Sequence, residues 1–183
     1  TGRAIDLMVV LIGTQPTHIQ SGNFATATAQ LDEGLRLARE IGASFWKAMG
    51  AMFEGCVFAM TGEPAKAVSS IVSAIEPYRS TGATLFMPLY LSYLARPYAE
   101  LGQFEDARRS IGEALATLQT TGTRWLEADV HRLRGEIALQ SPERDEDEAQ
   151  ASFERALGLA RAQTTRSWEL RAATSLARLW RDQ

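Results

Sequence analysis

The chain has 183 residues, is 45% hydrophobic and 22% charged, and carries a formal net charge of −3. These proportions are those of an ordinary globular chain and exclude a disordered one. The acidic balance argues against the basic stripe of a nucleic-acid binder, and the single cysteine, Cys56, excludes an intrachain disulfide scaffold.

The predicted elements are all helices, and strand-like alternation is absent throughout. The first covers residues 4–20 and carries Ile5, Leu7, Met8, Val9, Val10, Leu11 and Ile12, apolar nearly all round. A helix of that kind needs cover on more than one side. Its apolar run is too short to span a bilayer. Asp6 interrupts it, no small-residue cleavage site follows, and the chain starts at Thr1 rather than Met. The start therefore reads as a cut made inside a longer protein. Further helices are predicted over residues 24–40, 43–61, 64–79, 83–101, 104–120, 123–140, 146–162 and 166–181, nine in all. Pro64 suits the first turn of its helix, where a missing N–H is not needed. Pro97 falls mid-helix and predicts a kink or break near residues 93–96. Glu143, Asp145, Glu146, Asp147 and Glu148 place negative charge at the start of the eighth helix, a solvated N-terminal turn rather than a metal site.

Punctuation between these helices is periodic. Gly22, Gly62 and Gly102 stand forty residues apart, with Pro142 at the next step, and Gly42, Gly82 and Gly122 form a second series. A fixed period of this length marks stacked supersecondary units. The second series suits left-handed C-terminal helix caps. The units run over residues 1–42, 43–82, 83–122, 123–165 and 166–183, the last incomplete, in one continuous array. Small residues recur in register: Gly55, Ala95 and Gly135 on first helices, and Ala27, Ala67 and Ala107 on second helices. Close helix approach needs small groups at the contact, so Gly55 is expected in a helix–helix contact.

These residues resemble the tetratricopeptide repeat. The third unit carries the pattern on Leu91, Leu94, Ala95, Tyr98, Gly102, Phe104, Ala107, Ile111 and Ala114. The second supplies Gly55, Phe58, Gly62, Ala67, Ile71 and Ala74, the fourth Gly135, Ala149, Phe153 and Ala156, and the fifth Leu176, Ala177 and Trp180. In the first, Gln15 replaces the small residue and Pro16 follows, and the period of 40 exceeds the family's usual 34. The resemblance implies a right-handed superhelix of antiparallel helix pairs. The segments RWLEADVHRLRGEIALQ and SWELRAATSLARLWRDQ are similar to the C-terminal repeat regions of large bacterial signalling proteins. Those carry a class III adenylate/guanylate cyclase or a DNA-binding domain, followed by a signal-transduction ATPase module. The resemblance implies a sensor or scaffold segment in a bacterial cytoplasmic protein, with cyclase and ATPase residues outside this chain.

Sites for chemistry are sparse. The chain has no phosphate loop, no GxGxxG and no HExxH, and one cysteine cannot form a zinc pair. Cys56 follows Gly55 on a predicted helix with no nearby histidine and reads as a packing residue. His131 reads as a hydrogen-bonded packing histidine. No catalytic residue, cofactor or metal is assigned.

What a repeat of this kind offers is a concave face lined by its first helices. Register places Val9, Ile12 and Gln20 on it from unit one, and Phe45, Met49, Met52, Cys56 and Met60 from unit two. Unit three adds Leu85, Leu89, Ser92 and Arg96, and unit four adds Trp125, Asp129, Arg132 and Glu136. Unit five adds Arg171, Thr174, Arg178 and Arg181. The expected groove is methionine-rich at the start and arginine-rich at the end. Methionine adapts to variable partners, and arginine forks carboxylates or phosphates. The function expected is a non-catalytic module that binds a protein, a peptide or other domains of its own chain. The alternatives are a small-ligand sensor with a closed pocket and the repeat domain of a transcription regulator. Exposed apolar repeat ends, Leu7 on the first helix and Leu170 and Trp180 on the last, predict a homodimer.

Overall fold

A computed structural model describes residues 2–182 and consists, among them, of ten helices. They are α1 (Gly2–Gly13), α2 (Gln15–Gln20), α3 (Phe24–Ile41), α4 (Ser44–Thr61), α5 (Pro64–Arg79), α6 (Met87–Glu100), α7 (Phe104–Thr121), α8 (Glu127–Gln140), α9 (Glu146–Ala162) and α10 (Arg166–Asp182). The architecture is all-α and built of antiparallel helix pairs, as the periodicity requires.

Most turns share one geometry. Gly22, Gly42, Gly62, Gly82, Gly102 and Gly122 all take positive φ, between 68° and 82°. After α3, Gly42 N–H donates to Arg39 O and Ala43 N–H to Ala38 O. After α6, Gly102 N–H donates to Ala99 O and Gln103 N–H to Tyr98 O. These paired bonds satisfy the last carbonyls of each helix and demand a left-handed residue, which only glycine adopts without steric cost. Pro142 departs from the series: Ser141 is extended (φ −60°, ψ 146°), and Asp145 N–H closes the turn onto Ala138 O. Asp145 then caps α9, its carboxylate accepting from Glu148 N–H at 2.8 Å.

The turn between α9 and α10 repeats the glycine geometry without a glycine. Thr164 holds φ 54°, its N–H donates to Arg161 O, and Thr165 N–H donates to Ala160 O. A β-branched residue is a poor occupant of that region, at about 1–2 kcal/mol for the left-handed conformation. Thr164→Gly is expected to raise stability by about 0.5–1 kcal/mol, once the greater entropy of unfolded glycine is offset. Chemical denaturation of the two proteins checks this.

Three helix boundaries differ from expectation, two of them for a visible reason. The predicted first helix is two, because Pro16 has no N–H to continue α1 and stands instead in the first turn of α2. Buried Gln15 bridges the break by donating Nε2 to Leu11 O at 2.7 Å. α6 begins at Met87 rather than 83, with Pro88 in its first turn. α8 begins at Glu127 rather than 123, and no residue explains that delay. Of the kink or break expected at Pro97, the break is absent: α6 runs through it to Glu100, with Pro97 buried and its carbonyl accepting from Leu101 N–H.

The chain divides into two compact units, Thr1–Thr84 and Leu85–Gln183. In the first, α3 packs on α1, α2 and α4, and α4 on α5. In the second, α6, α8 and α10 pack side by side as one layer, with α7 and α9 packed on it as the other. Ala138, Ala149, Phe153, Leu176 and Leu179 centre the core of the second unit. The small residues stand where helices meet closest. A Cβ on Gly55 would lie 2.4 Å from Ile71 Cγ1 and 3.2 Å from Ala67 O. On Gly135 it would lie 2.5 Å from Phe153 Cε1 and 3.0 Å from Ala149 O.

Candidate functional site

The layer of α6, α8 and α10 gathers the polar residues that register selected. Asp129, Arg132 and Glu136 are three and four residues apart on α8 and therefore share one face. Arg132 Nε donates to Asp129 Oδ1 at 2.7 Å, and its Nη1 lies 3.5 Å from Glu136 Oε1. Ser175 of α10 donates to the same Glu136 oxygen at 2.6 Å. Arg96 of α6 pairs with Glu100 at 2.8 Å. Arg178 of α10 has no ion-pair partner among the described residues. Around these groups lies a cavity of about 320 Å³ lined by Arg96, Glu100, Arg132, Leu133, Glu136, Ile137, Gln140 and Arg178. Three guanidinium groups and two carboxylates line it, and Asp129 beside it holds Arg132. The charges of the cluster are therefore level, and Arg178 is, among the described residues, the one guanidinium group there without a direct partner.

Register alone did not find Glu100, Leu133, Ile137 and Gln140. Glu100 follows Arg96, and Gln140 follows Glu136, by four residues, which is the signal that would have found both.

The other candidates separate. Met49, Met52, Cys56 and Leu89, expected to line a groove, are buried, at 3%, 0%, 0% and 3% exposure. Ile12 and Ser92 are buried as well. The cause is coverage: α4 packs against α1, α2, α3 and α5, and α6 against α7 and α8, so little of either surface is left over. Met49 and Met52 of α4 are core, and Met60 on the same helix is half-buried. Phe45 is half-buried, stacked on Tyr78 with ring centroids 5.8 Å apart and edge-on to Trp46 at 5.0 Å. Asp129 is 8% exposed and committed to Arg132. Trp125 is exposed just before α8, and Arg171 is exposed on α10 with its guanidinium over the Trp168 ring at 5.0 Å.

Nucleophilic chemistry finds little support in the geometry. Burial pushes the Cys56 thiol well above the ordinary thiol range, so it holds its proton at neutral pH. Among the described residues no group of three or more His, Cys, Asp or Glu is placed to hold a metal ion, and no helix is long and apolar enough to cross a membrane. Comparison with protein-family models and with curated proteins finds no match.

His131 lies on the opposite side of α8, lining the cleft beside α7 and α9; it is half-buried, and the hydrogen bond expected of it is not found among the described residues. Burial first, then the charges of Arg155 and Arg134, hold its pKa below the ordinary imidazole value, against a smaller upward pull from Glu127. The unfolded chain therefore binds this proton more readily than the folded one. Its contribution to stability is complete above about pH 6.5, the unfolded value, and is lost as pH falls through the folded value. Thermal melts between pH 5 and 7 are expected to show a slope that His131→Gln reduces.

Proposed function

We propose that the chain is a non-catalytic helical-repeat scaffold that binds an acidic protein or peptide segment on the α6/α8/α10 face. The observation that carries this is the unpaired Arg178 beside Arg96 and Arg132, in a cavity whose remaining charges are already matched. A carboxylate of the partner would complete the pairing in the bidentate geometry arginine favours. The repeat resemblance extends the reading to a tetratricopeptide-type module of a bacterial cytoplasmic signalling protein with cyclase and ATPase domains. The exposed apolar residues Leu7 and Val10 on α1, and Leu170 and Trp180 on α10, support self-association through those faces.

Fluorescence anisotropy with a labelled Asp/Glu-rich peptide tests the binding. Saturable, salt-sensitive binding that Arg178→Glu abolishes is the expected result. Binding that Arg178→Glu leaves unchanged would move the site elsewhere.

A further inference from the structure

The opposite side of the second unit holds a second, more basic cleft. α7 packs on α6 and α8, α9 packs on α8 and α10, and between α7 and α9 a gap is floored by α8. The walls follow from helical spacing. Leu115, Leu118 and Gln119 are one face of α7, with Gly122 in the turn after it, Glu127, His131 and Arg134 one face of α8, and Arg155 and Leu159 one face of α9. Together with Arg124 they enclose about 390 Å³, within the range of small-molecule sites. A neighbouring cavity of about 310 Å³ shares Leu115 and Arg134 and adds Ile111, Ile137 and Ala138. Arg108, Gly112 and Glu148 line that neighbouring cavity too, so the cleft pairs a basic end, at Arg124 and Arg155, with an apolar wall of Leu115, Leu118 and Leu159.

The charges at the basic end are unbalanced. Three guanidinium groups face a single carboxylate, Glu127. Arg134 is tied to Glu148 at 2.7 Å. Arg124 and Arg155 have no carboxylate partner among the described residues. Two exposed guanidinium groups without a carboxylate partner line one cleft, where an anion can replace the water that now solvates them. We propose that this cleft binds a small organic phosphomonoester. Its dianionic head lies between Arg124 and Arg155, and its apolar body lies against Leu115, Leu118 and Leu159. Arg124, Arg155 and a protonated His131 stand against the single charge of Glu127, Arg134 being matched by Glu148, so a dianion leaves the cleft neutral and a carboxylate leaves one positive charge over. The half-buried, neutral His131 adds a polar group beside the head that gains a proton as the anion arrives.

Isothermal titration of the full chain with phenyl phosphate, benzoate, benzyl alcohol and inorganic phosphate tests the assignment. Phenyl phosphate is expected to bind saturably. Inorganic phosphate should bind more weakly for want of the apolar contact, benzoate more weakly for want of the second charge, and benzyl alcohol not at all. Arg155→Gln and Arg124→Gln should each weaken phenyl phosphate by at least about tenfold. Arg39→Gln, on exposed α3 surface, should not. Because Arg124 and Arg155 are exposed, the variants should keep the wild-type melting curve, which circular dichroism verifies. In the wild type, phenyl phosphate should raise the His131 pKa seen by NMR, and Arg155→Gln should abolish that rise. No saturable binding, benzoate binding as tightly as phenyl phosphate, or folded Arg124 and Arg155 variants that bind like wild type would each overturn the proposal.

Discussion

Gly135→Leu is expected to lower the unfolding free energy by about 1–3 kcal/mol, measured by chemical denaturation. Helix propensity points the other way, since glycine in a helix interior costs about 1 kcal/mol relative to alanine. The glycine persists because α8 and α9 approach so closely that any side chain meets the Phe153 ring and the Ala149 carbonyl. The ring can shift to another rotamer, but the carbonyl belongs to the backbone of α9 and can retreat only if the helices part. Gly55→Leu should behave alike at α4 and α5, where Ile71 and the Ala67 carbonyl are the obstacles. Gly158 on α9 is the contrast, because a Cβ there meets nothing within 4 Å. Gly158→Ala should therefore raise stability by about 0.5–1 kcal/mol, through propensity alone. If Gly135→Leu and Gly158→Ala moved stability in the same direction, close helix approach would not be what holds Gly135 in place.

Removal of the Asp129 carboxylate should be nearly as costly. The side chains of Asp129 and Arg132 are only 11% and 16% exposed, and their bond is the shorter of the two that Arg132 makes. Breaking a buried pair leaves a charge with little solvent to receive it, at about 3–5 kcal/mol when burial is complete. Here Glu136 remains within reach and some water has access, so Asp129→Ala is expected to cost about 1–3 kcal/mol. Arg132→Met should cost at least as much as Asp129→Ala, because it leaves the buried Asp129 carboxylate without its guanidinium, whereas Asp129→Ala leaves Arg132 with Glu136. Arg144 and Glu146 form an exposed pair at 2.8 Å, and breaking it should leave the melting temperature essentially unchanged.

The glycine ruler made the fold legible, because a left-handed turn residue and a small contact residue are each dictated by sterics that no long-range packing overrides. Pro16 split a helix that apolar periodicity had joined, and Pro88 set a start that the glycine spacing placed too early. Local backbone chemistry decided both. The site was legible in part. Arg96, Arg132, Glu136 and Arg178 do share one cavity, since charged groups on a helix register seek a wet face. Met49, Met52, Cys56 and Leu89 did not join them, because the same register describes a groove residue and a core residue when the side chain is apolar. The number of neighbouring helices does not separate the two, since α8 acquires four as α4 does and still keeps Arg132 and Glu136 at the cavity; the polarity of the side chain does.

Within either unit, helices that pack together are close in the chain. Each pair joins elements at most three apart in chain order, α1 with α4 being the widest separation. Little chain has to be closed into a loop before a contact forms, so the entropic barrier to each docking step is small. Folding of either unit should fall on the order of microseconds to milliseconds, as for other helical chains dominated by local contacts. On the ribosome, α1 to α5 can complete their packing while the residues of α6 to α10 are still being joined. A destabilised second unit then need not carry the first down with it.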